Sequence, residues 1–195
     1  MKTTNRTAAA EQPATDTVDQ FSAEWAHERP DLNFRHLPTL GRIIRVSAHL
    51  RERMDRWLAP FGLSWEIFDL LVSLRRAGTR SGMRPTDLYK ACILSSGATT
   101  NRINRAETLG YVTRCPDPQD GRATRIALTP LGVATADRAL VEHHVHMQRI
   151  SDLLTAGEQA QLAGLLRKLL LAFETDAERP ATAGSRAPAR RPAAR

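Results

Sequence analysis

Between Ser95 and Gly110 the chain reads SSGATTNRINRAETLG, and its first turns are crowded with short hydrogen-bonding side chains and arginines. Ser96, Thr99, Thr100, Asn101, Arg102 and Arg105 stand there with almost no acid among them. Such side chains donate to base edges and neutralise phosphates, which is what a helix in a DNA major groove must do. Ile103, Ala106 and Leu109 supply a narrow apolar stripe, so the segment is expected to be one helix. Ser95 or Ser96 can cap its first N–H groups, and Gly110 suits the left-handed position past its end. Composition alone would favour a solvated surface helix. The flanking segments decide.

Before it, Arg84–Ala91 (RPTDLYKA) reads as a short helix with proline in its first turn, separated by a tight link. Short helix, tight link and polar helix make a helix-turn-helix. After it, 111–115 (YVTRC) and 124–128 (TRIAL) read as short strands joined by PDPQDGR, a turn rich in Asp, Pro and Gly. A hairpin directly behind a recognition helix is a wing. Arg122 at or near its tip suits a minor groove, whose negative potential attracts arginine.

The remaining elements must position these two. Phe21–Arg29 reads as a short helix ended by Pro30, and 37–59 as a long amphipathic helix stopped by Pro60 and Gly62. Ser64 is expected to cap a third helix, 65–77, in which Asp69 interrupts an apolar run. Thr129-Pro130 opens a helix running to about Ile150, and Thr155–Glu158 is a capping box for a last one with leucines at 162, 165, 166, 169 and 170 and Phe173. The fold expected is mainly α with a small β-hairpin. Segments 1–19 and 177–195 are polar or Ala/Pro/Arg-rich and are read as disordered.

The 195 residues suffice for one domain with tails, and the net charge is +7. The tail from Ala177 contributes +4 of this, and the stretch from Arg84 to Arg125 carries +3, so the folded part is basic where the candidate recognition helix lies. Two cysteines make no disulfide framework, and neither a signal-peptide pattern nor a membrane-length apolar run is present, so a cytoplasmic location is expected. His143 and His146 share a helical face, but no cysteine or acidic cluster completes a metal set, so solvated or interface histidines are expected. With no phosphate loop, zinc-protease motif or nucleophile elbow, no enzyme, cofactor or metal site is expected.

RPTDLYKA, SSGATTNRINRAETLGYVTR, PDPQDGR and IALTPLG together resemble the MarR family of winged helix-turn-helix transcriptional regulators, over roughly 37–173. The resemblance implies a MarR-like domain over 20–176, with the winged helix at about 63–128 and dimerisation helices at about 37–59 and 130–176. It implies a homodimer in which each subunit offers one winged helix to half of a pseudo-palindromic operator. Ser96, Ala98, Thr99, Thr100 and Asn101 would face bases, and Ser95 belongs to the same DNA-contacting set. Arg102, Arg105 and Arg125 would complete the DNA-contacting set, with Arg122 in the minor groove. Two departures are visible: Gly121 stands where family wings usually have an arginine, and Arg84 where a capping hydroxyl usually precedes the proline.

Trp25–Asn33 (WAHERPDLN) is similar to a signature of the urate-responsive branch of the family. That likeness implies a ligand set of Trp25, Arg29, Asp69, Arg102 and Arg114. A flat anion would stack on Trp25, bind an arginine and disturb an Asp69–Arg102 pairing, moving the recognition helix. The plainer readings are Asp69 as a partly exposed helix residue, Trp25 as a hydrophobic staple and Arg102 as a phosphate contact. Three functions follow: a regulator, most simply a repressor, released by a small anion such as urate; an architectural DNA-binding protein without a switch; and a sensor of phenolic compounds or oxidants, the last acting through Cys92.

Overall fold

The computed structural model describes residues 14–78, 82–93 and 99–178. The described residues divide into two compact units, with the boundary between His143 and His144.

The first helix, α1 (Thr17–Glu28), begins four residues before the expected Phe21 and inside the stretch read as disordered. A capping box explains this. Asp16 Oδ1 accepts from the N–H groups of Val18 and Asp19 at 2.8 and 3.1 Å, and Asp19 Oδ2 accepts from that of Asp16 at 3.0 Å. The same two carboxylates accept from Arg42 at 2.7 Å each, tying α1 to the start of α2 (Arg42–Leu58). A single wide turn, Leu37–Gly41, leads into α2, and Gly62 at φ +68° closes the turn after it.

Helix α3 (Trp65–Arg76) is the core of the first unit. Ile67, Phe68, Leu70, Leu71 and Leu74 are buried among Leu58, Leu63, Leu88, Ile103, Ala106, Val112 and Ile126. Ser64 stands at its N-cap without a side-chain cap. Asp55 reaches across from α2 instead and accepts from the Trp65 N–H at 2.8 Å. Helix α4 (Pro85–Ala91) and helix α5 (Thr99–Thr108) pack on α3 through Leu88, Ile103 and Ala106. The C-terminus of α5 ends as its sequence demands. Gly110 takes φ +74°, its N–H bonds Glu107 O, and the Tyr111 N–H bonds Ala106 O, which satisfies the last carbonyls.

Strands β1 (Val112–Pro116) and β2 (Thr124–Leu128) pair antiparallel, Val112 opposite Leu128 and Pro116 opposite Thr124. Met83 adds a further bridge to Ile126, exchanging bonds of 2.9 and 2.8 Å. Gly82 makes that approach possible. It sits at φ +72°, and a Cβ there would run into the Ile126 carbonyl. Gly82→Ala is therefore expected to cost about 1–3 kcal/mol of stability, measured by urea unfolding, since both the dihedral and the backbone approach oppose it.

Thr129 caps α6 (Pro130–Ser151) as expected, accepting the Gly132 N–H at 3.0 Å while its hydroxyl donates to Gly110 O at 2.6 Å. In the second unit, α7 (Ala156–Glu178) starts at the expected capping box, with the Thr155 N–H on Glu158 Oε2 at 2.8 Å. Its apolar side chains stay exposed: Leu162, Leu165, Leu166, Leu169, Leu170 and Phe173. Among the described residues no single helix is long and apolar enough to cross a membrane.

Candidate nucleic-acid interface and effector region

Burial sorts the side chains of α5 into two faces. Ile103 and Ala106 are buried, and Thr100, Asn101, Asn104, Arg105 and Thr108 form a continuous exposed stripe. The stripe follows from the i, i+4 spacing of 100, 104 and 108 beside that of 101 and 105. Thr100, Asn101 and Arg105 of the expected set lie on it. Asn104 and Thr108 belong there too and were not singled out from sequence, although the same spacing reaches them. Arg102 does not join them. It is half-buried, between the stripe and the buried face. Ser95, Ser96 and Ala98 lie outside the described residues, and of Thr99 only the backbone is described.

The wing is built on Asp117. Its side chain is buried, and Oδ2 accepts from Arg84 Nε at 2.7 Å and from Arg125 Nη1 at 3.3 Å. Oδ1 accepts from the Gln119 N–H at 2.9 Å, and the Asp117 N–H closes the turn on Ala123 O at 2.9 Å. Arg84, out of place as a helix cap, thus has a role: it fastens α4 to the wing. Arg125, expected among the DNA contacts, is engaged within the wing. Its guanidinium donates to Gly82 O at 2.7 and 3.1 Å and to Asp117 Oδ2 at 3.3 Å, which ties β2 to the segment before α4. Arg122 stands exposed at the tip, its backbone N–H on Asp120 Oδ1 at 3.1 Å.

The Gln119 N–H, then the Arg84 and Arg125 guanidiniums, hold the Asp117 carboxyl down to about 2. A depressed folded pKa means stability that is present above the ordinary carboxylate range and lost as pH falls toward the folded value. The wing is therefore expected to loosen between about pH 4 and pH 2. Amide exchange of β1 and β2 should rise over that window, and Asp117→Asn should show the rise already at neutral pH.

The expected ligand residues fall into two groups. Asp69 is 1% exposed, which removes the reading of a partly exposed helix residue. Its Oδ1 accepts from the Ile93 N–H at 3.1 Å, at the link between α4 and α5. Arg102 is half-buried on α5, and Asp69 is buried on α3. Burial first, and Asp69 with it, pushes the Cys92 thiol up despite the Ser73 hydrogen bond. That disfavours the reactive thiolate.

The second group lies at the N-terminus. Trp25 is 46% exposed and stacks on Phe34 with ring centroids 5.1 Å apart. Arg29 pairs with Asp31 through two bonds of 2.8 and 2.7 Å. Ser22, Ala26, Pro30, Asp31, Leu32, Asn33 and Phe34 line an open cleft of about 500 Å³ beside them. Arg114 belongs to neither group. It donates to Glu107 at 3.0 Å and to Asn104 at 2.6 Å, on the outer side of α5. His143 packs its ring against Phe68 and Trp65, with centroids 5.0 and 5.7 Å apart. Among the described residues no group of three His, Cys, Asp or Glu side chains could hold a metal ion.

Residues 61–123 match the family model described as MarR family. The HTH-type transcriptional regulator PecS of Dickeya dadantii is 30% identical over 152 residues, which are 78% of this chain and 92% of that protein. The multiple antibiotic resistance protein MarR of Escherichia coli K12 is 32% identical over 140 residues, 70% of this chain and 94% of that one. Among solved structures, a mutant MarR from E. coli complexed with operator DNA superposes with a TM-score of 0.58 at 30% identity, covering 75% of this chain and 97% of that one. AbsC of Streptomyces coelicolor shares the fold, with a TM-score of 0.66 at 24% identity over 74% of this chain and 97% of its own.

Proposed function

Because this chain belongs to the MarR family, and is a DNA-binding transcriptional regulator rather than an enzyme, we propose that it acts as a homodimeric repressor released by a small anionic effector, urate or a related purine. The observation that carries the reading is the pairing of the exposed α5 stripe with an exposed arginine at the wing tip. The stripe offers donors and a cation for a major groove, and Arg122 a cation for the adjoining minor groove. The dimer is supported by the leucines left exposed along α7, more apolar surface than a lone soluble subunit normally presents.

The effector reading rests on Asp69 and Arg102. A buried carboxylate is expensive unless compensated, and the Ile93 N–H just after α4 supplies one hydrogen bond to Asp69. An anion that draws Arg102 toward itself changes that balance and displaces the helix on which Arg102 sits. The stacked Trp25 and Phe34, with Arg29 nearby, present a flat aromatic face and a cation of the kind a planar purine anion would use. Coupling of this type is worth about 1–3 kcal/mol, roughly a 5- to 150-fold loss of DNA affinity.

A gel-shift titration tests this. Urate added to the protein–operator complex should release DNA over that range, and Arg102→Ala should still bind DNA but lose the response. Release by salicylate-like phenols and not by purines would support a phenolic sensor. Release by oxidant, abolished in Cys92→Ser, would move the reading to a redox sensor, against the raised thiol pKa. Indifference to all of them would leave a DNA-binding protein without a switch.

A further inference from the structure

Asn104 sits in the middle of the exposed stripe of α5, one turn beyond Thr100 and one before Thr108. An asparagine amide carries an acceptor oxygen and a donor nitrogen, and which of them faces outward decides what it can read. Here the chemistry of a neighbour settles the orientation. A guanidinium only donates, and Arg114 Nη2 donates to Asn104 Oδ1 at 2.6 Å. The oxygen is turned toward Arg114, and the NH₂ group points away from it. Arg114 is itself fixed, by Glu107 Oε2 on its Nε at 3.0 Å and by its place in β1 opposite Ile126. One strand of the wing therefore grips the recognition helix through a triad of Glu107, Arg114 and Asn104.

We propose that Arg114 is a specificity-determining residue that acts through Asn104. An unrestrained asparagine reads adenine with both ends of its amide, accepting from N6 and donating to N7. With its oxygen turned toward Arg114 and one of its lone pairs engaged there, Asn104 directs its NH₂ donors outward. Those donors suit the O6 and N7 acceptors of guanine or the O4 of thymine, and they meet the N6 donor of adenine unfavourably. The wing thus sets what α5 reads at one base pair of each half-site. Glu107 serves the same end, since Arg114 neutralises a carboxylate that would otherwise sit beside the phosphates. The proposal rests on α5 being the DNA-reading helix.

The test is selection of binding sites from random duplexes by the full-length protein and its variants. The wild type should enrich a motif with one position per half-site that favours guanine or thymine. Asn104→Ala should erase the preference at that position and leave the others. Arg114→Ala should move the same position toward adenine, by about fivefold or more in relative affinity on matched duplexes. Glu107→Ala/Arg114→Ala keeps the net charge and should show the same shift, which excludes a general charge effect. Retention of the other motif positions reports that each variant is folded. An unchanged motif in Arg114→Ala, or one indifferent to Asn104→Ala, overturns the proposal. Enrichment of no motif by the wild type overturns the DNA-reading role of α5 beneath it.

Discussion

Leu166→Glu with Leu169→Glu is expected to convert the protein to a monomer and to weaken operator binding by at least about 100-fold. Leu166 and Leu169 lie on one face of α7 with Leu162, Leu165, Leu170 and Phe173, all more than a third exposed. Burying such a stripe against a second copy would gain about 25 cal/mol per Å² of apolar surface, and two glutamates in the seam would instead be desolvated without partners. Glutamate is nearly as good a helix former as leucine, so α7 itself should persist. The α3 core lies in the other unit and should melt unchanged. The DNA effect follows from avidity. Two half-sites held by one dimer gain roughly 10²- to 10⁴-fold over either alone, and a monomer forfeits that gain. Sedimentation equilibrium reads the first consequence and gel shift the second. A variant that remains dimeric places the interface elsewhere.

The second large effect separates two arginines that look alike in sequence. Arg122→Ala should weaken binding to every duplex by roughly 10-fold or more and flatten the salt dependence by about one unit of log–log slope, with no change in thermal stability. Arg122 is exposed at the wing tip, and its loss removes a cation from the groove without removing a contact that holds the fold. Arg125→Ala should do the reverse. It takes away two bonds to Gly82 O and one to Asp117, all of them part-buried, so the melting temperature should fall. Its effect on DNA should come through a hairpin that has lost its ties to Gly82 and Asp117. Equal thermal stability in the two variants would contradict the division of roles.

Arg122 and Arg125 also show where the sequence ceases to be legible. Local signals were readable because their physics is local: the Thr129 cap, the left-handed Gly110, the Thr155–Glu158 box and the hairpin turn each depend on residues within a few positions. The Asp16–Asp19 box is hard to read in sequence because aspartate stands where glutamate is usual, at the end of a polar run. Arg84–Asp117 spans 33 positions, and nothing local marks either residue for the other. The tie of Arg125 to Gly82 O depends on Gly82 allowing Met83 to bridge Ile126, a tertiary event. Arg102 and Asn104 differ by two positions on one helix, and only the packing of α5 on α3 shows that the first is half-buried and the second exposed. The orientation of Asn104 needed β1 in place beside it.

The most direct test of the central claim is the ratio of affinities for an operator and for an unrelated duplex of equal length at one physiological salt concentration. A helix that reads bases through Thr100, Asn101, Asn104 and Arg105 predicts a ratio of about 10³ or more, reduced when Asn101 or Asn104 is replaced by alanine. Equal affinity for both duplexes, with both interactions falling alike as salt rises, would mean that only phosphates are bound, and would contradict the account.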